Sequence, residues 1–233
     1  MHIQQWLSSR KSFTKVLRNK EIDELEQINT DSGRYYKTPT GDLYPSATSV
    51  VGLLGKEAIE KWKKRVGEEE AAKISQKAAA RGTRMHKLCE DYLNGDPINP
   101  ADYNFEDQLN FSMLRKYLDS HVDNIHVQES RLYSDYLKMA GTVDLVAEYD
   151  GRLSIIDFKT SKKMKEESWI LGYFCQATAY AIMYEELTGI PVPQIVIMIM
   201  VDDNEPQVFI KKRNDYVKPL LDVREIYRLT FGV

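Results

Sequence analysis

The chain has 233 residues, enough to bury one sizeable core with an appendage. Hydrophobic content of 42% and charged content of 29% are ordinary for a globular protein, and a net charge of −3 argues against a protein that coats nucleic acid, while leaving room for local basic contacts. The longest apolar run, Ile195–Val201, is far too short to span a bilayer, and Cys89 and Cys175, each among apolar helical neighbours, read as small core residues of a reducing compartment.

In chain order, Ile3 to Ile28 reads as one or two helices, with Ile3, Trp6, Leu7, Val16, Leu17, Ile22, Leu25 and Ile28 as a rough apolar stripe. No acid precedes Glu21, a faint likeness to a mitochondrial transit peptide. The helical pattern runs on through the acidic residues, so an amphipathic helix packed on the core is expected. Asp31-Ser32-Gly33 breaks it, and Arg34–Lys37 with Gly41–Tyr44 predicts a small hairpin around Thr38-Pro39-Thr40. Ser46 and Thr48 stand at a helix start, where their hydroxyls suit a cap and a phosphate contact equally well. Glu57–Gln76 is helical and charge-rich; its Lys61-Trp62-Lys63-Lys64-Arg65 fits either a nucleic-acid track or a solvated face with Trp62 turned inward.

Ala78–Asn94 predicts a helix with Met85, Leu88, Cys89 and Tyr92 on its apolar face, ended by Asn94-Gly95. His86 and Glu90 lie four apart and share a face. By itself such a histidine is more often structural than a ligand. A loop from Asp96 to Pro100 leads to a helix over Phe105–Asp119 with Leu109, Met113, Leu114 and Tyr117 inward, and then to a strand over Ile125–Leu132 that carries Glu129.

The organising stretch runs from Met139 to Lys163. Met139–Glu148 alternates as a strand, with Val143, Leu145 and Ala147 on one face and Asp144 on the other. Tyr149-Asp150-Gly151-Arg152 is a turn, because Asp-Gly between two apolar runs is a strong hairpin signal. Leu153–Lys159 is the returning strand, so Asp144 and Asp157 can converge. Two carboxylates from neighbouring strands make a hard oxygen site suited to Mg²⁺ or Mn²⁺. Lys159, two residues beyond Asp157, projects from the same face and can orient a nucleophile or offset phosphate charge. Gly141 suits a close approach of the backbone to another group. Charges in a hairpin are commonly just solvated, but Asp157 sits between Ile155-Ile156 and Phe158, an expensive place for a lone carboxylate. Beyond it, Thr160-Ser161-Lys162-Lys163 forms a loop suited to phosphate. Ser168–Leu187 is a long buried helix closed by Thr188-Gly189 and Pro191; Gln194–Val201 and Gln207–Lys211 pair as strands; Asp215–Leu229 is a closing helix with Leu220, Leu221, Ile226 and Leu229 inward.

Gly141-x-x-Asp144, a hairpin, and then Ile155-Ile156-Asp157-Phe158-Lys159-Thr160-Ser161 resemble the core of the PD-(D/E)XK nuclease superfamily. More narrowly, they resemble its RecB-type branch, which includes the mitochondrial genome maintenance exonucleases and related phage exonucleases. The first motif reads Thr-Val-Asp instead of Pro-Asp, a looseness found in the family. Three further segments fit the branch in order: Pro45-Ser46-x-Thr48-x-Val50, Gly82-x-x-x-His86-x-x-x-Glu90, and Gln176-x-x-x-Tyr180. Any one short motif is a weak signal; several in order are specific.

The resemblance implies an α/β, restriction-endonuclease-like core with a central mixed sheet flanked by helices. An N-terminal helical extension with a small hairpin over 1–43 would precede a nuclease domain over 44–233. It implies that Asp144, Asp157 and Lys159 act catalytically and that His86, Asp144, Asp157 and the Phe158 carbonyl hold Mg²⁺ or Mn²⁺. Gln176, Tyr180 and Glu90 would support them; Glu129, whose strand precedes the one that carries Asp144, can approach the metal as a further second-tier candidate; and Ser46, Thr48, Arg81, Arg84, Thr160, Ser161 and Lys162 are DNA-contact candidates. Some members carry an iron–sulphur cluster on four cysteines, which two cannot build. The activity implied is metal-dependent DNA exonuclease cleavage, on single strands or free ends, in replication, repair or recombination and alongside the proteins of those processes. A duplex or structure-selective endonuclease and a non-catalytic DNA-binding module are the alternatives. The expected setting is the cytoplasm of a bacterium or phage-infected cell, with the mitochondrial matrix as the alternative and no membrane partner.

Overall fold

The computed structural model describes residues 10–17, 22, 24–31 and 33–233. Strands β1 (Glu26–Thr30), β2 (Gly33–Lys37) and β3 (Leu43–Pro45) form a small antiparallel sheet in that order. The β2–β3 hairpin is the one expected around Thr38-Pro39-Thr40. The expected helices before it are not found in the described part. Residues 10–17 hold no helix, Lys15 bridges Ile125, and Ile28 lies in β1 opposite Tyr35. Strand pairing has overridden a short helix-like spacing there. Ile3, Trp6 and Leu7 lie outside the described residues.

Helices α1 (Ala47–Val51), α2 (Lys56–Val66), α3 (Glu68–Asn94) and α4 (Phe105–His121) follow. Gly67, at φ 88, splits the stretch read as one helix over Glu57–Gln76, since a left-handed residue ends α2 before α3 begins. Trp62 is half-buried on α2, which buries none of its residues fully. On α4, Leu109 is exposed, contrary to expectation, and Phe111, Leu114 and Leu118 make the buried stripe.

Strands β4 (Val122–Ser134), β5 (Met139–Tyr149) and β6 (Arg152–Ser161), helix α5 (Leu171–Thr188), strands β7 (Gln194–Val201) and β8 (Gln207–Lys212) and helix α6 (Val217–Phe231) complete the chain. The five strands form one sheet in chain order; β6 and β7 are parallel and the other pairs antiparallel. Parallel neighbours need a crossover, which α5 supplies. Asp150 (φ 52) and Gly151 (φ 71) both adopt left-handed backbone in the β5–β6 turn, as a two-residue hairpin requires.

The sheet is buried on both faces. Ile195, Ile197 and Ile199 of β7 face α5 and α6, while Val196, Met198 and Met200 face α3 and α4, which explains a strand with no polar alternation. Val143 belongs to the α5-side core and Leu145 and Ala147 to the opposite one, so the three do not share a face as alternation predicts. The change of face falls between Val143 and Leu145, although their pairing with β4 keeps one register, Ser130↔Val143 and Gln128↔Leu145; the register shift of that ladder lies between Asp123 and Val127. On α6, Leu220, Val223, Arg224 and Tyr227 are buried; Ile226 and Leu229, expected inward, are exposed. Among the described residues no helix is long and apolar enough to cross a membrane.

Candidate active site

The β5–β6 ladder carries paired residues from Tyr149↔Arg152 to Leu145↔Ile156, and there it stops. Beyond that point the Asp144 side chain takes over, its Oδ2 accepting from the Phe158 backbone N–H at 2.8 Å. A carboxylate that replaces a ladder bond is fixed in orientation, which leaves its Oδ1 free to face elsewhere. Asp157, next on β6, is 1% exposed and in ionic contact with Lys159 Nζ. Its Oδ1 has no hydrogen-bond partner among the described residues. Burial pushes the Asp157 carboxyl up to about 6, helped by Asp144 and opposed by Lys159. Burial works against the Lys159 charge too, yet Asp157 and Asp144 outweigh it and hold the amine above its ordinary value. Lys159 is therefore an ammonium. It also lies 5.3 Å from the Tyr173 ring centroid, a cation–π distance.

His86 reaches this hairpin from α3. Its Nε2 lies 2.8 Å from the Phe158 carbonyl oxygen, which can only accept, so Nε2 carries the ring proton. In the neutral ring, Nδ1 then presents a lone pair 3.6 Å from Asp144 Oδ1. Two electron-rich atoms held face to face call for a cation or a proton near them. Glu129 of β4 completes the group: one donor atom each from His86, Glu129 and Asp144 lie within 4.8 Å of one another. Glu129 has φ 46, a strained backbone for a side-chain-bearing residue. Its carboxylate is exposed toward the cleft, but the surrounding protein still strips it of water. That desolvation, with Asp144 nearby, raises it to about 7. One imidazole, two carboxylates and an orphaned oxygen of a buried third carboxylate nearby fit a divalent cation well.

These residues open onto a cavity of about 960 Å³, lined by His86, Glu129, Asp144, Lys159, Gln176 and Tyr180 among others. Tyr173, Gln176 and Tyr180 follow helical spacing on one face of α5, and Gln176 Nε2 donates to Tyr180 Oη at 3.1 Å. A Cβ on Gly141 would stand 2.8 Å from Tyr180 Cε1, so glycine is required where β5 passes the ring.

The sequence pattern that defines the PD-(D/E)XK nuclease superfamily matches residues 57–213. The chain belongs to this superfamily. The chain is also 30% identical over 111 residues to "Mitochondrial genome maintenance exonuclease 1" of Mus musculus, and 30% over 112 residues to the protein of that name from Homo sapiens. The Xenopus tropicalis protein is 29% identical over 115 residues. Each match covers 46% of this chain and 32% of the relative, so the shared region is about a third of those proteins.

Within this PD-(D/E)XK frame the other expected residues divide. Ser46 caps α1, its Oγ accepting from Ser49 N at 3.0 Å and lying 2.9 Å from Thr48 Oγ1; both also line the cavity. Arg81 is committed to Asp202 at 2.6 Å and to the Ser161 carbonyl at 3.0 Å, and Arg84 to Asp107 at 2.5 Å. Ser161 Oγ donates to the Lys163 carbonyl at 2.6 Å, a local turn contact, and Lys162 is exposed beside it. Arg81, Arg84, Thr160, Ser161 and Lys162 are not among the cavity-lining residues, and neither is Glu90, which pairs with Lys87 at 3.4 Å. The Phe158 carbonyl is engaged by His86. Tyr173, Arg34, Lys165 and Trp169 line the cavity without having been singled out in sequence. Only Tyr173 carried a signal, three residues before Gln176 on the same helix face.

Proposed function

We propose that the protein is a Mg²⁺- or Mn²⁺-dependent deoxyribonuclease that shortens DNA as an exonuclease, acting on single strands or free ends. The observation that carries this reading is the His86–Glu129–Asp144 donor set beside the buried Asp157–Lys159 pair on one cleft. His86 Nδ1, Glu129 and Asp144 would hold the ion, with Asp157 closing the set; the ion supplies Lewis acidity and lowers the pKa of a water. Lys159, held as an ammonium, orients the attacking water and offsets charge growing on the scissile phosphate. Tyr173 keeps that ammonium aimed. The name of the relatives supports the exonuclease reading and a mitochondrial setting, beside the bacterial or phage-infected cytoplasm expected from sequence. Replication, repair or recombination is the proposed context.

The test uses end-labelled linear single-stranded DNA, its duplex and a closed single-stranded circle, each with Mg²⁺, Mn²⁺ or EDTA. Metal-dependent shortening of linear strands with the circle intact is expected. Asp157→Ala should lose cleavage by at least about a hundredfold while melting as a folded protein. Full activity in that variant overturns the assignment, and cutting of the circle replaces the exonuclease by an endonuclease.

A further inference from the structure

Trp169 is 70% exposed and lines the cavity that holds the donor set. A lone exposed aromatic is ordinary, but the turn that leads into this one is tied to β8 at two points. Gln207 of β8 accepts from Lys165 N at 2.7 Å and donates to Lys165 O at 3.0 Å. Lys211 pairs with Glu167 at 2.7 Å. The turn is thus fastened to the sheet edge while the indole remains in water, and four residues further on Tyr173 supports Lys159. Leu54 and Ile59, 42% and 50% exposed, line the same cavity from the turn before α2 and from α2 itself. Arg34 and Lys165 add cationic groups to its wall.

A cleft with cations in its wall and an apolar aromatic rim matches a polyanion that also offers flat apolar faces. We infer that Trp169, with Leu54 and Ile59, grips an unstacked nucleobase of the strand whose phosphate lies at the donor set. This makes Trp169 a specificity-determining residue; the inference rests on the nuclease reading above and adds to it the group that selects strands with accessible base faces. Duplex DNA hides those faces inside its stack, and a stacking platform accepts any base, so the grip would be insensitive to sequence.

The test is a fluorescence titration of the full chain in EDTA with a single-stranded oligonucleotide, and with the same strand carrying abasic sites. The chain has three tryptophans, so the quench must be assigned. Quenching that is lost in Trp169→Phe and kept in Trp62→Phe is expected. The normal protein should prefer the intact strand over the abasic one by about tenfold, and Trp169→Ala should bind both alike. A quench that survives Trp169→Phe, or a preference that survives Trp169→Ala, overturns the inference. A strand that quenches Trp169 yet is never cut with any metal leaves this grip standing and removes the nuclease. Metal-dependent cutting with no Trp169 quench does the reverse.

Discussion

Gly141→Ala places one methyl group where β5 crosses Tyr180. The new Cβ would stand 2.8 Å from Cε1 and 3.0 Å from Oη, whereas ordinary contacts begin at 3.4 Å, so ring or strand must give by at least about 0.6 Å. Neither moves easily. Tyr180 is buried and hydrogen-bonded to Gln176, and β5 is paired to β4 beyond Gly141 on both sides. Overpacking of this kind costs about 1–3 kcal/mol. In a chain of this size that lowers Tm by about 2–10 °C and shifts a urea midpoint without changing its slope. Tyr180→Leu removes the ring, so a double-mutant cycle should recover about 1–2 kcal/mol of coupling. If Gly141→Ala melts within about 0.5 kcal/mol of the parent, or costs the same in the Tyr180→Leu background, the close-approach argument is wrong.

Three other changes separate the roles assigned above. Glu129, pushed up to about 7, and Asp157, up to about 6, keep protons in the metal-free native state that the unfolded chain would release near the ordinary values of 4.5 and 3.8. The native state then binds more protons, so metal-free stability should fall as pH rises from about 4 to about 7. Added Mg²⁺ or Mn²⁺ should raise Tm more at pH 7.5 than at pH 5, and an equal rise at both in a thermal-shift series would refute the cation assignment. Arg81→Ala should cost about 1–3 kcal/mol in a urea melt by removing the guanidinium that neutralises Asp202, yet leave the salt slope of DNA binding unchanged. Lys165→Ala should reduce that slope by about one; the opposite pattern would return Arg81 to the DNA.

The β5–β6 hairpin was legible because its signals are local. Asp150-Gly151 specifies the turn, alternation marks the strands, and the buried position of Asp157 between apolar residues already demanded a partner. Strand β7 was legible for a related reason, an unbroken apolar run of strand length. Other features depend on distant residues. Asp202 stands 121 positions from Arg81 and Asp107 stands 23 from Arg84, so two arginines that looked available for phosphate were in fact committed. The left-handed backbone that accompanies Glu129 leaves no trace in composition or period, which is why the sequence ranks it behind Asp157 although it lies with His86 and Asp144 in the proposed donor set. Loop residues such as Lys165 and Trp169 have no period to read. Ile28 misled because pairing with Tyr35 outweighed a spacing of three and four.

The parallel β6–β7 pairing also governs how the site comes into being. The edge of β6 that carries Asp157 and Lys159 has no neighbour until Gln194–Val201 arrives, after the whole of α5 has been made. The β5–β6 hairpin closes over a two-residue turn, so during synthesis it exists early with an open apolar edge, the feature by which chains join one another in error. A nascent chain halted at Gly189 holds every proposed catalytic and metal-binding residue but lacks the strand that seats two of them. Its fate would be aggregation before activity, and release beyond Val201 is the step that turns the assembled residues into a working centre.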